Sequence, residues 1–188
     1  MKFKSLNIVF AVVLFMAAPL LADAQTVNVI RKTGNEYREG GLYFTPQVAL
    51  YAYALNFGAS LELGLTENIG VGGTIMLAFW SDNIFGNRLS ETLITPSVDA
   101  YYHFTQLDVD KLDLFAGAAL GFSIYSFNWD YQGVDDGNTG TSNIFLSPIL
   151  GARYYFNEKI AASLKLYISI LGNWAGVGGV AGVTIVLK

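Results

Sequence analysis

Along most of this chain the apolar side chains return at every second position rather than every third or fourth. Between residues 160 and 170, Ile160, Ala162, Leu164, Leu166, Ile168 and Ile170 hold the even places, while Ser163, Lys165 and Ser169 fall on the odd ones. A period of two accounts for the whole set. A helix that groups Ile160, Leu164 and Ile168 leaves Leu166 and Ile170 on its polar side. The same alternation sets Phe57, Ala59, Leu61, Leu63 and Leu65 against Gly58, Ser60, Glu62 and Gly64. It also sets Leu114, Ala116, Ala118, Leu120 and Phe122 against Asp113, Gly117, Gly121 and Ser123. Segments of this kind fall at roughly 42–51, 56–65, 69–80, 92–104, 112–128, 144–156, 160–170 and 177–187. Most reach the ~9–11 residues that a tilted strand needs to cross a bilayer.

Composition says why a bilayer is at issue. Of 188 residues, 53% are hydrophobic and only 14% charged, where a soluble domain carries roughly 25% charged residues. So little charge leaves a water-facing surface uncovered. High apolar content excludes a disordered chain, the absence of cysteine excludes a disulfide scaffold, and a formal charge of -4 excludes a basic nucleic-acid binder. Spanning helices would need runs of at least 18 apolar residues; the one candidate, 170–187, holds five Gly and Asn173.

The N-terminus reads as a secretory signal peptide. Lys2 and Lys4 form a basic n-region, residues 6–18 are apolar apart from Asn7, and Ala22-Asp23-Ala24 is a small-x-small cleavage site. Pro19 closes the apolar run before it can span. Cleavage after Ala24 removes two Lys and one Asp, leaving 9 basic and 14 acidic residues and a mature charge of -5. Three parts follow: residues 1–24 as the cleaved signal, 25–40 as a polar periplasmic segment with Arg31, Lys32, Glu36, Arg38 and Glu39, and 41–188 as one strand-built domain.

The connections between segments alternate in length. Thr66-Glu67-Asn68, residues 105–111 and Asn157-Glu158-Lys159 are short and polar, whereas 81–91 and 129–143 are longer. Short turns at one end and longer loops at the other describe a transmembrane barrel, with turns periplasmic and loops extracellular. Aromatics crowd both ends: Tyr51, Tyr53, Phe79, Trp80, Phe85, Tyr125, Phe127, Trp129, Tyr131, Phe145 and Trp174 at the outer one, and Tyr43, Phe44, Tyr101, Tyr102, Phe104, Tyr154, Tyr155 and Phe156 at the inner one. These are expected to form interfacial girdles. The alternative is a secreted lipocalin-type barrel with its apolar face turned inward; that would place Glu62, Arg153 and Lys165 outside and needs no banded aromatics.

Leu63-Gly-Leu-Thr-Glu-Asn-Ile-Gly-Val71 and Tyr154-Tyr-Phe-Asn-Glu-Lys-Ile160 read as strand-turn-strand units, and Phe115-Ala-Gly-Ala-Ala-Leu-Gly121 as a fifth strand. In these patterns residues 41–188 resemble the small OmpX/OmpA-type outer-membrane β-barrel proteins. The resemblance implies an all-β fold, an eight-stranded antiparallel up-and-down transmembrane β-barrel. The chain departs from that family in closing on Lys188 where a terminal aromatic is common.

Eight strands enclose a lumen that side chains fill, so a wide pore is not expected. The charged inward positions are Glu62, Asp99, Arg153 and Lys165. Counting from their turns places all four roughly 10–15 Å up the strands, as one neutralised structural cluster. Segments two and six face each other across an eight-membered ring, making Glu62 and Arg153 the expected cross-lumen pair.

Some small barrels of this membrane are lipid hydrolases or acyltransferases, but the lone histidine, His103, lies beside a periplasmic turn with Asp99 as its considered partner, far from the outer leaflet. No catalytic or cofactor residues are assigned, and a single histidine without cysteine supports no metal site. On the extracellular side Asp82, Glu91, Asp130, Asp135 and Asp136 against Arg88 give a charge of -4, with Trp129 beside them as a further contact residue. Asp135-Asp136-Gly137-Asn138 lacks the spaced ligands of a calcium loop and reads as a solvated turn.

The sequence thus predicts a non-enzymatic barrel in the bacterial outer membrane, both termini periplasmic. Its expected surroundings are lipid and lipopolysaccharide, with a role as envelope scaffold, surface contact or accessory subunit of another outer-membrane or periplasmic protein. A narrow gated channel is the second reading, and a lipid-modifying enzyme a distant third.

Overall fold

The computed structural model of the chain describes residues 37–188 apart from 52–53, 85–86, 108, 132–133 and 172–176. The expected signal peptide, residues 1–24, and residues 25–36 of the expected polar segment lie outside the described residues.

Eight strands follow in order: β1 (Leu42–Tyr51), β2 (Ala54–Gly64), β3 (Ile69–Ile84), β4 (Asn87–His103), β5 (Leu112–Tyr131), β6 (Val134–Asn157), β7 (Ile160–Ile168) and β8 (Val177–Val186). Each pairs antiparallel with its chain neighbour, and β1 pairs with β8, so the sheet closes as an all-β up-and-down barrel. Closure removes the two edges that an open eight-stranded sheet would leave.

The short connections form because their side chains satisfy the backbone locally. Thr66 Oγ1 accepts from the amides of Asn68 and Ile69, and Asn157 Oδ1 accepts from those of Lys159 and Ile160. Between β4 and β5 the chain makes one 3-10 turn, Thr105–Leu107, and re-enters the sheet through Lys111, whose φ is 59°. These three connections define the turn end of the barrel.

Strand parity sorts the side chains. Thr45, Gln47, Asn56, Ser60, Glu62, Thr74, Asp99, Asp113, Ser147, Arg153, Ser163, Lys165 and Thr184 are buried in the lumen. Their neighbours Phe44, Val48, Phe57, Val98, Leu120, Phe122, Leu150, Leu164 and Ile185 are exposed on the outer wall. Polar inside and apolar outside is the reverse of a lipocalin. An apolar belt encircling the molecule is what a hydrocarbon environment requires.

Parity also corrects two expectations. Tyr102 with Phe104 and Tyr154 with Phe156 form edge-to-face pairs at the turn end, Tyr102, Tyr154 and Phe156 being exposed on the wall as girdle residues should be. Tyr43, Tyr101 and Tyr155 are buried in the lumen instead, and Phe145 packs against the lumen cluster around Tyr101. Assigning girdles by height alone ignored which face each residue occupies. At the other end, 81–91 and 129–143 are largely strand. β3 and β4 stay paired to Ile84–Asn87, and β5 and β6 to Tyr131–Val134. The pairing of β4 with β5 continues to Arg88–Asp130, so polar sequence that reads as loop is carried by the backbone ladder.

Candidate functional site

The lumen holds its charges at two levels. Nearest the turn end, Glu62 from β2, His103 from β4, Asp113 from β5 and Arg153 from β6 meet. The His103 Nε2 lies 2.8 Å from Glu62 Oε1, and its Nδ1 lies 2.8 Å from Asp113 Oδ1. Arg153 Nη2 pairs with Glu62 Oε2, and Nη1 stands 3.5 Å from Asp113 Oδ2. A ring whose two nitrogens both face carboxylates donates from both, the hydrogen-bonding pattern of an imidazolium. Two carboxylates then face one guanidinium and one imidazolium, so the group is neutral, as burial demands. Arg153 is 1% exposed and His103 0%. The guanidinium also sits over the Phe115 ring at 4.9 Å and the Tyr43 ring at 5.3 Å, attractive placements for a planar cation.

One level up, Asp99 accepts from Thr74 Oγ1 at 2.5 Å, Ser97 Oγ at 2.7 Å and the Tyr101 hydroxyl at 3.1 Å. Lys165 Nζ donates to Ser60 Oγ at 3.2 Å and reaches the same Tyr101 oxygen at 3.4 Å. Above lies a cavity of about 60 Å³ with Gln47, Asn56, Met76, Phe145 and Tyr167 among its walls, room for about four waters.

The geometry brings Glu62 and Arg153 together across the lumen, and places Asp99 and Lys165 in a separate layer joined to each other through Tyr101. One four-membered cluster is therefore replaced by two networks. Counting residues from each turn assumed that the turns are level, whereas a tilted, sheared barrel staggers them. Sequence reasoning also passed over Asp113 as a site residue and measured His103 against Asp99. The signal was present: His103 and Asp113 both stand on inward faces, beside the same turn.

Of the outer candidates, Asp82 is exposed on β3, and Glu91 on β4 accepts from the Tyr125 hydroxyl. Arg88 lies on β4, Trp129 and Asp130 on β5, and Asp135 and Asp136 on β6. All seven stand on one four-stranded extension of the sheet.

The sequence matches no family model and no curated protein. Solved structures do match. The N-terminal barrel domain of Pseudomonas aeruginosa OprF superposes with a TM-score of 0.56 at 17% identity, over 79% of this chain and 98% of that one. The fold is that of the small outer-membrane barrels. Ail, the attachment invasion locus protein of Yersinia pestis, has the same barrel, with a TM-score of 0.52 at 11% identity over 79% of this chain and 98% of its own. So does Neisserial surface protein A, with 0.51 at 15% over 77% and 94%. Identities this low carry the small outer-membrane barrel fold and leave the lumen networks to be read from this chain's own residues.

Proposed function

We propose that this protein is an integral outer-membrane barrel with a non-enzymatic contact role, exerted by the sheet that rises beyond its membrane belt. The observation that carries this reading is the unequal height of the wall. Beyond its pairing of Asn56 with Ala78, β3 has no partner on the β2 side among the described residues, yet it runs on to Ile84 paired with β4. β6 likewise continues past its isolated bridge to Leu171. At ~3.3 Å per residue, the six further residues of β3 extend it by roughly 20 Å. Among the described residues the extension leaves an unpaired strand edge, a surface that pairs with extended segments of other chains.

In this reading the short turns are periplasmic, the tall sheet is extracellular, and residues 1–24 are the signal that sends the chain there. The acidic set Asp82, Glu91, Asp130, Asp135 and Asp136 favours a partner with basic residues flanking an extended stretch. The lumen supports a structural interior. His103 has both nitrogens engaged and is fully buried, which leaves neither nitrogen to accept a proton from a nucleophile.

The test is site-specific photocrosslinking in native outer membranes. A crosslinker at Ser81, on the β3 extension, is expected to give one discrete adduct that one at lipid-facing Leu164 does not. Adducts equally frequent at both sites, or none at Ser81, would overturn the contact role.

A further inference from the structure

Tyr37 precedes the first strand, yet it is only 5% exposed. Its ring lies face to face on the His103 imidazole, with centroids 3.5 Å apart and planes 10° from parallel, and stacks on Tyr43 at 5.3 Å. The chain behind it is held as firmly. The Arg38 amide donates to the Tyr43 hydroxyl at 2.8 Å, the Gly40 amide to the Gly64 carbonyl at 2.8 Å, and the Gly64 amide to the Gly41 carbonyl at 2.9 Å. Gly40, with φ of 70°, turns the segment from the lumen into β1.

The wall is cut back to receive this segment. A Cβ on Gly64 would collide with the Arg38 carbonyl, and one on Gly70 would collide with both the Glu62 carboxylate and the Tyr37 hydroxyl. Two neighbouring positions of the barrel therefore lack side chains where the lead-in passes. The charges beneath have their own partners: His103 and Arg153 each face Glu62 and Asp113, residues of the strands. Tyr37 thus covers the imidazole without supplying a counter-charge. Burial pushes its hydroxyl well above the ordinary tyrosine range, so it sits there as a neutral phenol.

From this geometry we infer that residues 37–41 are a stopper, an intramolecular plug that seals the turn-end mouth and keeps water off the Glu62–His103–Asp113–Arg153 network. The seat recognises a flat aromatic ring delivered by an extended backbone, and the chain fills it with its own Tyr37. A short segment outside the closed strand ladder opens at lower free energy than the barrel unfolds. The stopper therefore leaves without the strands parting. This inference rests on the lumen geometry and stands apart from the contact role of the outer sheet.

The chain contains no cysteine, so one introduced thiol reports on the mouth. Ala161 packs in the cluster with Tyr37, Tyr43 and Tyr155 and is fully buried. Ala161→Cys in the full mature chain, reconstituted in phosphatidylcholine nanodiscs, is treated with a charged, water-soluble methanethiosulfonate, and protease resistance of the barrel is followed in parallel. Labelling is expected to be slow with Tyr37 present, slow again with Tyr37→Phe, and at least about tenfold faster with Tyr37→Ala. Gly64→Val, which leaves Tyr37 in place but obstructs the Arg38 carbonyl, should also speed labelling. A folded Tyr37→Ala barrel that labels as slowly as the parent overturns the proposal. If Tyr37→Ala does not fold, Gly64→Val decides: fast labelling supports the stopper and slow labelling overturns it.

Discussion

Arg153 on β6 and Glu62 on β2, four strands apart in the ring, close an ion pair across the lumen. Because the pair ties opposite walls rather than neighbouring strands, it holds the barrel's cross-section as a hydrogen-bond ladder cannot. Asp113 on β5 and His103 on β4 complete it from a third and fourth strand.

Removing one partner leaves the other charges buried and unbalanced, which costs about 3–5 kcal/mol. Glu62→Ala is therefore expected to lower unfolding free energy by that order in urea titrations of the reconstituted barrel. Bilayer conductance should stay near baseline. Stepwise currents in the parent that disappear in Glu62→Ala would transfer weight to a gated channel.

The two charge levels should be separable by double-mutant cycles. Glu62→Gln with Arg153→Met is expected to show a coupling energy above about 1 kcal/mol, since the side chains touch. Glu62→Gln with Lys165→Met should couple clearly more weakly than the first pair, the two residues making no direct contact. Equal couplings would restore a single cluster.

His103→Phe keeps the ring stack but leaves two carboxylates facing one guanidinium. A loss of about 3–5 kcal/mol is expected, and adding Asp113→Asn to His103→Phe should recover part of it. The recovery is the informative measurement, because a purely steric role for the imidazole predicts none.

On the outer wall Leu164 is 64% exposed. If that face meets hydrocarbon, Leu164→Arg costs about 2–4 kcal/mol in bilayers. The same replacement is near neutral if the face meets water, so refolding yield in liposomes distinguishes the two.

Lys111 holds a left-handed conformation in which a side chain crowds its own backbone. Lys111→Gly should raise stability by about 0.5–1 kcal/mol, read from the urea midpoint at unchanged slope.

Strand number, order and pairing were legible because each depends on alternation, which a barrel with one apolar face must display. The Glu62–Arg153 relation followed from the same parity and from counting around a ring of eight. The arrangement of the lumen charges escaped because it depends on how strands are set against each other, which no single strand's pattern contains. Asp113 was not counted among the inward charges, yet the β5–β6 register sets it opposite Arg153. Asp99 and Lys165 looked coplanar with Glu62 and sit in another layer. Tyr37 lay in a stretch with no period, so nothing local announced that it enters the lumen. The polar stretches 81–91 and 129–143 carried loop-like residues on strand backbones, because a ladder beyond the membrane belt no longer needs an apolar face.

The four short strands, β7, β8, β1 and β2, have 9 to 11 residues and are consecutive around the closure, while β3 to β6 have 16 to 24. Such a cylinder is cut obliquely, so the protein has a front and a back in the plane of the membrane. Among the described residues the wall is high on the β3–β6 side and low on the side where β7, β8, β1 and β2 meet. Rotation about the membrane normal, irrelevant for a level barrel, then becomes a variable that neighbours in a crowded bilayer can set.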